Sequence, residues 1–253
     1  MSRIPGTFRR LNKAGEAALV PYLPAGIPTL DVTRRLLPII GRQGADLIVI
    51  GSASVFTSDA YSPAGHTGAI VADCLSIAAE ARRSNEVPLV LLAPHAEIHA
   101  HGIARLASEC AAAGVDALLV PDLPLAFAGP LAEACRAAAV DLALTVREEG
   151  DLERLAELAP VAGGFVLCAA ADASTLPSLV EHARVRAELP VVVPSPAGTP
   201  DEVAELSRLA DGVLLQSALL PVMEGAEEED LMLDVSEVVR ALKEATAKGA
   251  PTR

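Results

Sequence analysis

The chain has 253 residues, enough for one large domain, and 51% of them are apolar, so a sizeable core can be buried. A formal net charge of −13 excludes a nucleic-acid or anionic-membrane surface, because either needs clustered Lys and Arg. Aromatics are only 2%, so the core is built from Ala, Val, Leu and Ile, and the four scattered cysteines, Cys74, Cys110, Cys135 and Cys168, offer neither a disulfide framework nor zinc-ligand spacing.

The first residues carry no apolar signal segment, and no run approaches the roughly 18 apolar residues of a membrane span; a reducing cytoplasm is expected. After a helical lead-in, residues 18–23 form an apolar strand closed by Pro24-Ala25-Gly26. Helical spacing follows over 29–42, with Leu30, Val32, Leu36, Leu37 and Ile40 on the apolar face. A second strand, 46–50, runs into the longest polar loop of the chain, and a helix over 70–83 follows. The third strand is 88–92, with a helix over 101–113. The fourth, 117–120, ends in Pro121-Asp122-Leu123-Pro124 before a helix over 130–138. Strand 142–146 precedes helix 152–158, and strand 164–167 precedes helix 179–187. Strand 191–193 passes through Pro194-Ser195-Pro196-Ala197-Gly198 into helix 201–209. Strand 212–215 and a helix over 234–245 close the series, and the acidic run 227–230 reads as a solvated helix start.

Continuous apolar strands alternating with helices predict strands buried on both faces. Eight such units predict closure into a (β/α)8 TIM barrel occupying residues 1–253 as a single domain. Chemistry then belongs on the loops at the C-terminal ends of the strands, where it meets a small-molecule ligand in the barrel mouth.

Those loops carry the candidate groups. After strand three, His95, Glu97, His99 and His101 lie within seven positions. A pocket acid–base role for His95 competes with a solvated loop and first helical turn, and no second cluster completes a metal site. After strand five, Arg147-Glu148-Glu149 supplies an ion pair and a general acid–base carboxylate, Glu148, or else a salt bridge capping the next helix. Asp122 ends strand four, Tyr61 and Ser62 add hydroxyls beyond strand two, and Cys168 reads as a buried, inert thiol.

Specific segments also resemble one family. The run 19–26 followed by Gly26-Ile27-Pro28 is similar to the first strand of tryptophan synthase α subunits. So are Gly44-Ala45-Asp46, Gly114-Val115-Asp116, Val120-Pro121-Asp122-Leu123-Pro124, Thr199-Pro200-Asp201-Glu202-Val203 and Ser217-Ala218, in order and spacing over nearly the whole chain. The resemblance implies retro-aldol cleavage of indole-3-glycerol phosphate to indole and glyceraldehyde 3-phosphate, with no cofactor and with a β subunit as partner. It implies proton transfer by a Glu in the middle of strand two and an Asp in the following loop. Val49 stands at the first position, and the loop 56–63 is rewritten: Asp59 matches the first Asp of the family loop, while the catalytic one falls nearest Ser62 or Pro63.

The family holds phosphate on glycine-rich turns after strands six, seven and eight. Here Asp172 follows strand six, Pro194 and Pro196 remove two N–H donors after strand seven, and Gly198 and Ser217 remain. Tyr22 and Phe165 correspond to aromatic residues on the pocket floor. Loss of one acid–base group costs about 10²–10⁴-fold, so the expectation is a diverged member whose lyase reaction is lost or strongly reduced, serving as a non-catalytic partner of a β-like subunit. The alternatives are a repurposed lyase or isomerase using Asp59, Asp122, Glu148 or His95, and retained indole-3-glycerol phosphate cleavage.

Overall fold

Strands β1 (Ala18–Ala25), β2 (Ile48–Ser52), β3 (Leu89–Leu92), β4 (Ala117–Leu119), β5 (Asp141–Val146), β6 (Val166–Cys168), β7 (Val191–Ser195) and β8 (Gly212–Leu215) run parallel in sequence order, and β8 pairs back onto β1. The computed structural model describes residues 2–52, 71–225 and 229–248. The closed barrel is the (β/α)8 architecture that the alternating pattern predicts.

Two-residue strand periodicity divides each apolar run between two cores. Val20, Tyr22, Val49, Val90, Leu92, Leu119, Ala143, Leu167, Val192 and Leu214 point inward and fill the barrel. Their neighbours, among them Leu23, Ile50, Leu91, Leu118, Leu144 and Val193, pack outward against the helices. This is why the strands read as unbroken apolar runs. The helices α2 (Leu30–Arg42), α3 (Val71–Ala81), α5 (Ile103–Ala113), α6 (Gly129–Ala137), α7 (Leu152–Leu158), α8 (Leu176–Ala187), α9 (Pro200–Leu209) and α11 (Leu231–Glu244) form the outer layer, with α10 (Leu220–Gly225) between β8 and α11. No helix among the described residues is long and apolar enough to cross a membrane.

The lead-in is helix α1 (Ile4–Ala14), and Ile4, Phe8 and Leu11 plug the N-terminal end of the barrel. A departure from the expected pattern lies after β3. Residues 95–101, read as a loop with one helical turn, form helix α4 (His95–His101), separated from α5 by Gly102 at φ +93°. The Asp122 carboxylate accepts the His95 N–H at 2.9 Å, which supplies the N-terminal cap that Pro94 cannot.

The Gly-Ala-Asp and Gly-Val-Asp motifs act at the N-terminal end of the barrel, opposite the strand-end loops. Asp46, just before β2, accepts the Leu19 N–H of β1 at 3.0 Å, and Asp116, just before β4, accepts the Leu89 N–H of β3 at 2.9 Å. Asp211, just before β8, accepts the Val191 N–H of β7 at 2.9 Å. Each carboxylate is also met by cations: Arg10 and Lys243 at Asp46, Arg3 and Arg82 at Asp116, Arg184 and Lys248 at Asp211. Three strand pairs are thus clamped at the N-terminal face, where such residues serve stability.

Candidate functional site

At the C-terminal face, the ends of β4, β5 and β6 surround a cavity of about 820 Å³. Its walls mix apolar side chains, Leu123, Leu125 and Leu179, with Asp122, Thr145, Arg147, Glu148, Asp151 and Asp172. Of the residues expected from sequence to act here, Asp122 and Glu148 are brought together on this cavity. His95 adjoins it through its backbone N–H to Asp122, and its ring meets that of His99 edge-on at 6.2 Å. His101 instead pairs with Glu109 on α5.

The expected Arg147 ion pair is replaced by another contact. The guanidinium donates to the Pro121 carbonyl at 2.6 Å, tying the end of β5 to the end of β4. Glu148 and Asp151 form a reciprocal capping box around the turn 149–151, Asp151 accepting the Arg147 N–H at 2.8 Å. Glu149, also on the cavity wall, bonds to Ser178 and His182 on α8, and its bond to His182 holds its carboxyl below the ordinary range. Asp172 accepts the Ser174 N–H at 2.8 Å, and that bond likewise holds its carboxyl below the ordinary range.

The remaining candidates are dispersed. Tyr22 is buried in the barrel interior next to Val49 in register, and burial pushes its phenol well above the ordinary range. Phe165 packs against Phe8 of the N-terminal plug, ring centroids 6.5 Å apart and tilted by 53°, so its ring lies at the end of the barrel away from the strand-end loops. Cys168 is buried, and burial pushes its thiol up to about 12, as an inert core cysteine requires. Asp59, Tyr61 and Ser62 lie outside the described residues.

Gly198 and Ser217 belong to the turns after β7 and β8. The Ser217 hydroxyl donates to the Pro196 carbonyl at 2.8 Å. Gly198, at φ +62°, sits so close to Ala218 that a Cβ would lie 2.4 Å from its side chain; only glycine fits. The turn after β7 does present converging donors, but they point at the chain itself. The Glu202 carboxylate accepts the Ser195 hydroxyl, the Ala197 N–H at 3.1 Å and the Gly198 N–H at 2.9 Å.

Three side chains at this end take roles that the sequence alone left unassigned. Glu202 stands three residues after Thr199, which caps α9 by accepting the Glu202 N–H; that is capping-box spacing, and it is visible in the sequence. Thr145 is the one hydroxyl in the apolar run of β5 and shares the inward parity of Ala143. Glu97, half-buried on α4, has its carboxyl raised by burial and then by neighbouring Asp122, a pairing that only the tertiary structure creates.

Comparison with known proteins agrees with this architecture. The family model described as tryptophan synthase alpha chain matches residues 8–247. The tryptophan synthase alpha chain of Roseiflexus castenholzii is 34% identical over 260 aligned positions, covering 96% of this chain and all of that one. The same chain from Citrifermentans bemidjiense is 34% identical over 269 positions, covering 99% and 100%. Among solved structures, the tryptophan synthase alpha chain of Legionella pneumophila superposes with a TM-score of 0.85 at 20% identity over the full length of both chains. A tryptophan synthase structure from M. tuberculosis gives 0.83 at 23% identity over 98% and 99%. By sequence along nearly its entire length, the chain belongs to the tryptophan synthase alpha chain family.

Proposed function

We propose that this barrel is an α-type subunit whose indole-3-glycerol phosphate cleavage is lost or strongly reduced, acting as a non-catalytic partner of a β-like subunit in the cytoplasm. The observation that carries the reading is Val49. It is 0% exposed in the barrel interior, registered beside Tyr22 and Val90 in the hydrophobic cluster that fills the barrel. At the place where the resemblance puts a proton-transferring Glu, a valine holds and moves no proton. The self-filled turn after β7 supports the same reading, since an incoming phosphate meets the Glu202 carboxylate instead of open N–H groups.

Retained cleavage is the second reading, favoured by the end-to-end match to alpha chains at about one-third identity. In that case Asp59 or Glu148 stands in for the missing acid–base group. Repurposing to a different small substrate is the third, with Asp122 and Glu148 on the cavity in proton transfer.

One assay divides them. Purified protein is incubated with indole-3-glycerol phosphate, alone and with a tryptophan synthase β subunit, while indole release and β activity are followed. The first reading expects no indole release and a stimulated β subunit. Release at rates ordinary for an enzyme establishes the second. Silence in both arms leaves repurposing.

A further inference from the structure

The chain has three lysines, Lys13, Lys243 and Lys248, and the structure gives them unlike surroundings. Lys13 is exposed in the last turn of α1, where water and the negative end of the helix both favour its charge. Lys243 is bonded to Glu16 at 2.8 Å and to Asp46 at 2.9 Å. Lys248 stands apart. It lines a cavity of about 740 Å³ at the N-terminal end of the barrel, beside α1, α8 and α9, with Phe8, Leu189 and Pro190 as apolar wall.

The Lys248 amine is loosely held there. Asp211 Oδ1 lies 3.9 Å from its Nζ, beyond hydrogen-bond reach, while the Val191 N–H and the Arg184 guanidinium bond to the other oxygen of that carboxylate. Burial pushes the Lys248 ammonium below the ordinary lysine range, with Asp211 opposing the shift and Arg184 adding to it. Such an amine carries more free base at a given pH than an exposed one, and the free base is the nucleophile.

The same cavity favours an anion. Arg9, Arg184 and Arg208 line it with Lys248, and the Arg9 and Arg208 side chains make no hydrogen bond or ion pair with any described residue. Of the three carboxylates there, Glu16 is held by Lys243 and Asp211 by Arg184, which leaves Glu188. Positive charge is in excess at this place, on a chain whose net charge is −13. Guanidinium groups suit phosphate oxygens, which they meet with paired N–H donors.

We propose that Lys248 is an acylation site for small acyl phosphates, with the phosphate held by Arg9 and Arg208 while the Lys248 amine attacks the acyl carbon. The N–C bond forms and the C–O bond to phosphate breaks. Its electron pair, together with the proton released by the amine, leaves as hydrogen phosphate. The product is a neutral amide, so Asp211 loses one of its two cations. The inference goes beyond the reading of lost lyase activity and is tested apart from it.

The full chain is incubated with acetyl phosphate at mildly alkaline pH, and acetylation of each lysine is followed by peptide mass spectrometry. Lys248 is expected to react at least about fivefold faster than Lys13 or Lys243. The double variant Arg9→Gln, Arg208→Gln should lower the Lys248 rate about tenfold. N-acetoxysuccinimide, a donor without phosphate, should acetylate Lys248 equally in parent and double variant. Both arginine side chains are exposed and unbonded among the described residues, so thermal melts of the double variant should match the parent. Reaction at Lys13 or Lys243 as fast as at Lys248, an unchanged rate in the double variant, or an equal fall with the uncharged donor would each overturn the proposal. Indole release plays no part in this readout, so the function proposed above can fail while the acylation site stands, and the reverse.

Discussion

The Glu202 carboxylate accepts the amide N–H of Gly198 at 2.9 Å, so the turn at the mouth end of β7 is closed by the protein's own anion. Ser195 and Ala197 donate to the same oxygen. Glu202→Ala removes that anion and leaves three donors aimed at one point. The variant is expected to lose about 1–3 kcal/mol of stability. It is also expected to regain part of it in inorganic phosphate, whose binding to the folded state raises the unfolding temperature. The parent should show the smaller phosphate response. Thermal melts with and without phosphate measure both effects, and equal shifts in the two proteins would refute the assignment.

Asp116 is 3% exposed and ties together Arg3, Arg82 and the Leu89 N–H at the base of β3 and β4. Asp116→Asn takes the ion-pair partner from Arg82 and leaves Arg3 with Glu86 alone. Breaking a buried pair of this kind costs about 3–5 kcal/mol. Urea unfolding should show a lower midpoint with an unchanged slope. A loss below about 1 kcal/mol would mean the clamp is a surface contact in solution.

Asp141 opens β5 with a carboxylate oxygen that has no partner among the described residues, and burial raises its pKa despite hydrogen bonds from Ser2 and Gly164. A carboxyl with a raised folded-state pKa binds its proton better in the folded chain. Its contribution is therefore most favourable at low pH and declines as pH rises from the ordinary carboxylate value through the folded value. Asp141→Asn should thus unfold at a higher temperature than the parent at pH 7, with the difference vanishing near pH 4. Melting curves across that range test the sign directly.

Burial pushes the Cys168 thiol up to about 12 and Cys74 likewise to about 12. At pH 8 almost no thiolate exists at either position, and neither is accessible. Labelling by a disulfide reagent should be slow in buffer and rapid in denaturant. Fast native labelling of Cys168 would overturn its reading as an inert core thiol.

Much of the scaffold was legible in the chain. The apolar runs at 18–23, 117–120 and 212–215 are strands because only parallel strands buried on both faces tolerate such continuity, and eight units closed as expected. The family was legible too, carried by motifs such as Gly44-Ala45-Asp46 and Thr199-Pro200-Asp201-Glu202-Val203. The Asp residues of the first kind proved to be clamps on neighbouring strands, a role invisible without knowing which backbone N–H lies opposite.

The site itself divided differently. Sequence alone placed an apolar Val49 in β2 and acidic side chains after β4 and β5, because one-dimensional order sets which residue ends which strand. Only the tertiary structure decided that Phe165 joins Phe8 at the N-terminal plug, that Arg147 reaches the Pro121 carbonyl, and that Glu202 folds back into the β7 turn. Each of these is a contact between segments whose approach is fixed by barrel closure and strand stagger, which no local pattern encodes.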